Sequence, residues 1–187
     1  MARDSEATKK RILDAAEEEF VHYGIAGARV DRIAENAAAN KAMIYRYFES
    51  KDRLFDVVFS LRVVNFVDEV GFDPADLPGY AGRAFDAYQK SPNTLRLTNW
   101  YALERGDSAD LDALVESHRH KIESIERAQS VGALPSRLAP LELLITIRAI
   151  AMSWHNLTPE MNRIRLPDVE RQRASVVENV RRLVSKD

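Results

Sequence analysis

Residues 30 to 48, VDRIAENAAANKAMIYRYF, restrict the fold more than any other stretch of the chain. Apolar or small side chains fall at Val30, Ile33, Ala34, Ala37, Ala39, Ile44 and Tyr47. Val30, Ile33, Ala34 and Ala37 share the inner face of one short helix at i, i+3, i+4, i+7 spacing. Ile44 and Tyr47 share the inner face of a second. Only a tight connection, with Ala39 as its anchor, lies between them. Ala34 is small where the second helix crosses the first, and close crossing needs a small residue. The spacing predicts a helix-turn-helix.

The same segment, read on as NKAMIYRYFESKDRLF, has two faces. Ile44, Phe48, Leu54 and Phe55 are apolar and look inward. Lys41, Tyr45, Arg46 and Lys51 look outward. In a helix-turn-helix the N-terminal end of the second helix enters the major groove. Asn40 can cap that helix and leaves Lys41, Ala42, Met43 and Arg46 facing out. Lys41 and Arg46 can donate to guanine O6 and N7 or to phosphate, while Ala42 and Met43 suit a thymine methyl. Tyr45 can hydrogen-bond a phosphate. Lys51 sits in a first helical turn, beside free backbone N–H groups that attract phosphate.

Composition bounds what surrounds this motif. The chain has 187 residues and a formal net charge of −2, so nucleic-acid binding must come from a local patch. Through residue 55 there are 10 basic and 10 acidic residues. The basic run Lys9-Lys10-Arg11 precedes the acidic run Glu17-Glu18-Glu19, and two solvated helix faces explain these as well as a phosphate-facing end does. No cysteine is present, which excludes disulfides, thiolate metal sites and a cysteine nucleophile. The N-terminus lacks the apolar core of a signal peptide, and no run approaches a membrane span. A soluble, cytoplasmic chain with no membrane contact is expected.

Helical periodicity dominates and strand alternation is scarce, so the expected class is all-α with about nine helices. The first helix is expected from Ser5, as N-cap, to about His22, with Gly24 ending it. Helices follow at about 30–37, 40–48 and 50–70, with Asn40 and Ser50 as caps. Beyond the loop GFDPADLPG come helices at about 77–90, 92–103, 109–130, 140–156 and 167–185. Pro92, Pro140 and Pro167 stand near helix starts. The expected division is a DNA-binding domain over 1–50 and a helical effector-binding and dimerisation domain over 51–187.

The pattern of an N-terminal helix followed by VDRIAENAAANKAMIYRYFESKDRLF resembles the tetracycline-repressor (TetR) family of transcriptional regulators. The resemblance covers about residues 8 to 56, through Ile33-Ala34, the turn, Tyr45-Arg46-Tyr47-Phe48, Ser50-Lys51 and Leu54-Phe55. It implies phosphate contacts at Tyr45 and Lys51 and base reading at Lys41, Ala42 and Met43. It implies a homodimer on a pseudo-palindromic double-stranded operator, paired through about 140–156 and 167–185. Leu141, Leu144, Ile145, Ile150, Val177, Val180 and Val184 supply apolar faces for that pairing. It also implies a repressor released by a small-molecule effector through a population shift, with the helix over about 50–70 as the lever. The family usually has glycine where this chain has Ala38, and a left-handed alanine costs on the order of 1 kcal/mol. The family's second helix usually opens on Ser or Thr; here GARV offers Ala28 and Arg29, so that cap is lost, and Arg29 can clamp a phosphate instead.

Other residues are candidates for smaller roles. Phe85, Tyr88, Trp100, Tyr101 and Trp154, with His155, are aromatic or polar groups of a kind that lines ligand pockets, though core packing explains each singly. They favour a lipophilic or aromatic ligand. Arg148, inside LLITIRAIAMSW, needs a partner, a ligand carboxylate or an acid across a dimer. Glu116 and His120 share a helix face but His118 does not, so no metal site is expected. No spacing suggests catalysis, and neither an enzyme nor a cofactor is expected. A second reading is a helical small-molecule-binding protein whose DNA function has degraded. A third is a DNA-bound activator or a repressor without an effector.

Overall fold

The computed structural model describes residues 2–105 and 112–185. Among them are nine α-helices and no strand. They are α1 (Ala2–Gly27), α2 (Val30–Asn36), α3 (Lys41–Phe48), α4 (Lys51–Val70), α5 (Leu77–Lys90), α6 (Pro92–Glu104), α7 (Asp112–Ser130), α8 (Pro140–Met152) and α9 (Val169–Val184), with a 3-10 turn at Met161–Arg163. The expected all-α class holds. The chain forms two compact units: Met1–Phe66 with Asn93–Ala109, and Val67–Pro92 with Asp110–Asp187. This grouping by contact differs from a functional division at residue 50.

In the first unit, Ile12, Ala16 and Phe20 of α1 are fully buried. Phe20 meets Phe55 of α4 edge-on, centroids 5.1 Å apart, and Phe59 stacks on Tyr101 of α6 at 4.5 Å. Trp100 Nε1 donates to the Val21 carbonyl at 3.2 Å. Gly24 has φ 69, and a Cβ there would come within 2.8 Å of the Trp100 ring. Only glycine satisfies both conditions, and α1 breaks its helical course there as expected. At its other end α1 starts upstream of the expected cap. Ser5 lies inside the helix, and its Oγ is 2.9 Å from the Tyr47 hydroxyl.

The second unit packs α5 against α8 and α9, and α7 against α8. Leu77, Ala81 and Phe85 of α5, Leu143, Leu144 and Ile147 of α8, and Val176 and Val180 of α9 are buried. α8 ends at Met152, short of the expected 156, and Ser153–Asn156 form turns. His155 Nε2 lies 3.1 Å from the Phe85 carbonyl, so a side chain bonds α5 where the helix would have carried on. α9 starts from Asp168, whose side chain accepts from Arg171 N–H at 2.8 Å. The expected start of the seventh helix at 109 lies outside the described residues.

Candidate nucleic-acid interface

α2 and α3 are built as their spacing requires. Ile33, Ala34, Ile44 and Phe48 are buried beneath the pair. Asn40 caps α3, its Oδ1 accepting from Ala42 N–H at 2.9 Å. Ser50 caps α4, accepting from Arg53 N–H at 3.1 Å. The turn between α2 and α3 contains Ala38 at φ 47, the left-handed conformation that the alanine has to bear. Arg11 of α1 steadies this turn, donating from Nε to the Ala37 carbonyl at 3.1 Å. One member of the Lys9-Lys10-Arg11 run is thus bound to backbone.

The outer row of α3 is exposed: Lys41, Ala42, Tyr45 and Arg46, with Met43 half-exposed. Lys41 reaches across to α2 and pairs with Asp31 at 2.8 Å. That pair lowers the Asp31 carboxyl and raises the Lys41 ammonium, through a hydrogen bond first and charge second. Arg29, which follows α1, is exposed, and its side chain makes no hydrogen bond or ion pair among the described residues. Arg46 lies over the Tyr47 ring at 5.3 Å. Lys51 Nζ donates to the Ala26 and Ala28 carbonyls at 3.2 and 3.0 Å, closing the end of α1. It therefore fixes the segment that carries Arg29.

Two acids that sequence reasoning left as part of a solvated run are structural. Glu19 is 4 % exposed. Its carboxylate accepts from Arg29 N–H at 2.7 Å and from Arg32 Nε and Nη2 at 2.9 and 2.5 Å. Arg29 has no side-chain cap bond of its own, so α1 supplies the capping carboxylate from a distance in sequence. Glu17, also buried, pairs with Arg62 of α4. A signal existed: Glu19 is seven residues after Ile12 and three after Ala16, on the apolar stripe.

The six candidate ligand residues are not gathered in one unit. Trp100 and Tyr101 belong to the first, where they pack on α1 and α4. Phe85, Tyr88, Arg148 and Trp154 belong to the second. Phe85 and Tyr88 are buried, with His155 4.6 and 5.9 Å from their ring centres. Trp154 borders a groove of about 500 Å³ along α9, with Pro167, Arg171 and Val177. Arg148 bonds His118 of α7.

The helix-turn-helix lies within a segment that matches known proteins. Residues 12–58 match the family of bacterial regulatory proteins, tetR family, and residues 76–182 match a tetracyclin repressor-like C-terminal domain. The chain belongs to the TetR family. It is 39% identical over 166 residues to the HTH-type transcriptional repressor SCO4008 of Streptomyces coelicolor, covering 87% of this chain and 85% of that protein. The crystal structure of the transcriptional regulator SCO4942, also from Streptomyces coelicolor, superposes with a TM-score of 0.86 at 37% identity, over 96% of this chain and 99% of that one. A TetR family regulator from Marinobacter aquaeolei, 17% identical, shares the fold with a TM-score of 0.74 over 94% of this chain and 95% of that one. This TetR-family chain is thus a helix-turn-helix transcriptional regulator related to repressors. Among the described residues no helix is long and apolar enough to cross a membrane.

Proposed function

We propose that the chain is a cytoplasmic repressor that binds a pseudo-palindromic operator as a homodimer and is released by a small molecule. The observation that carries the DNA-facing part is the exposed row of α3 standing on a fully packed underside. Lys41, Ala42 and Met43 read bases. Tyr45, Arg46, Arg29 and Lys51 hold phosphates, with residues 1–50 as the DNA-binding part and 51–187 as the effector and dimer part. Lys41 exchanges its Asp31 partner for a base edge, a small cost for an exposed pair. Lys51 has two carbonyl partners, so its contribution combines charge with the positioning of Arg29.

Pairing is assigned to α8 and α9. Leu141 and Ile145 are 51% and 56% exposed, on a helix whose other face is core. Leu144 and Val180, expected to contribute to that pairing, are buried within the protomer's own core. An operator with two half-sites about one helical turn apart follows from twofold symmetry.

The test is fluorescence anisotropy of the purified protein on the intergenic DNA beside its own gene, at two salt concentrations, with scrambled DNA as control. Selective, salt-sensitive binding is expected. Lys41→Ala should change which half-site sequences are preferred, whereas Tyr45→Phe should weaken all of them alike. Equal losses on every sequence for Lys41→Ala would remove the base-reading role. Absence of binding to any DNA at low salt would favour the ligand-binding protein instead.

A further inference from the structure

Arg148 is the one charged residue in the stretch Leu143–Met152 of α8, and it is only partly exposed. Its Nη1 lies 2.5 Å from Nε2 of His118 on α7. The other ring nitrogen, Nδ1, lies 2.7 Å from the Leu114 carbonyl. A carbonyl only accepts, so Nδ1 carries the proton and Nε2 offers its lone pair to the guanidinium. The ring is therefore neutral, and the arginine charge rests on a partner that does not balance it. Lys121, three residues along α7 from His118, is half-buried and makes no hydrogen bond or ion pair among the described residues. Arg148 likewise has no carboxylate partner among them.

The surroundings reinforce this imbalance. Burial lowers the Lys121 ammonium, and the Arg148 charge lowers it further. Burial also lowers His118, with Arg148 and Lys121 adding to the effect against the Leu114 bond. Tyr80 and Tyr88 of α5 are buried, and their phenols lie within the field of Arg148. Two cations, a neutral imidazole and two phenols thus share one region of the second unit. Leu144, Ile147 and Phe85, all buried, give that unit its apolar body. Charge-assisted bonds from arginine to a carboxylate are about twice as strong as bonds between neutral groups. An anion here would attract both cations and so offset the repulsion between Arg148 and Lys121.

We propose that Arg148 and Lys121, flanked by His118, Tyr80 and Tyr88, bind the carboxylate of an organic acid with an apolar body, and that such an acid is the effector. The second clause rests on the repressor reading given above. The guanidinium exchanges the imidazole for the carboxylate, which loosens the tie between α7 and α8. The amide of the same acid gains none of this.

Calorimetric titration with decanoate and 4-phenylbutyrate, each against its primary amide, tests the site on the full-length protein. At least one acid should bind about tenfold or more tighter than its amide, the ratio that one charge-assisted bond supplies. Arg148→Met and Lys121→Met should each bring acid and amide to within about twofold. Lys121→Met should melt no earlier than the parent, because it removes a half-buried cation that makes no ion pair among the described residues. Equal affinity for acid and amide, no binding of either acid at millimolar concentration, or undiminished discrimination in Lys121→Met would overturn the site. Operator anisotropy on the same samples separates the two clauses. Acid binding without DNA release upholds the site and overturns its effector role. Acid binding by a protein that holds no DNA upholds the site and overturns the repressor reading.

Discussion

Ala38 turns the chain at φ 47 with a Cβ that glycine would lack. The left-handed region costs an alanine about 1 kcal/mol or slightly more. Ala38→Gly should therefore raise stability by about 1 kcal/mol in urea denaturation, less the entropy that glycine adds to the unfolded chain. No change in midpoint would mean the turn relaxes around the methyl group. Glu19 makes the opposite case. It is a buried carboxylate whose bonds go to a backbone N–H and to Arg32. Glu19→Gln keeps the shape but removes the charge, and a hydrogen bond to a charged group is worth about 2 kcal/mol. The loss should appear as an earlier melt, with DNA affinity falling because Arg29 and α2 are no longer held.

α7 and the turn that follows α8 each carry a histidine that responds to acid. Burial holds the His118 and His155 rings below the ordinary histidine value of 6.5. As pH falls through that value, the unfolded chain takes up protons first and the folded chain lags. Stability therefore declines from about pH 6.5 downward and is fully present above it. The melting temperature should fall between about pH 7 and about pH 5.5, and His118→Gln should flatten part of that slope. An unchanged slope in the variant would show that burial does not hold the His118 ring below its ordinary value. At this scale the sequence was informative about most helix starts: Asn40, Ser50, Pro92 and Pro140 all open helices where expected. Ends were less legible. α8 stops at Met152 because His155 finds the Phe85 carbonyl, a partner 70 residues away that no local pattern records.

In the dimer proposed above, the pairing rests on α8. Its exposed Leu141 and Ile145 would be covered by a second copy, whereas Leu144 would not. Ile145→Glu should shift the protein from dimer to monomer in light scattering and lower operator affinity at least about tenfold, since two half-sites are then bound separately. A variant that stays dimeric would move the interface away from this face. Leu144→Glu should instead unfold the chain, because it places a charge in the core.

The sequence by itself determined the helical class, the helix-turn-helix and the outward row of α3. All three follow from apolar spacing and caps within a few residues of one another, which is the range over which helical periodicity operates. Only the tertiary structure decided which charges are spent. Glu17 and Glu19 look like a solvated run, yet they hold Arg62 and the start of α2. Lys51 looks like a phosphate ligand, yet it also closes α1. Arg148 looks for an acid, yet it rests on a neutral histidine 30 residues away. Ion pairs and hydrogen bonds act over a few ångströms, and folding sets which groups come that close. Residues distant in the chain carry no local mark of the partner they will meet.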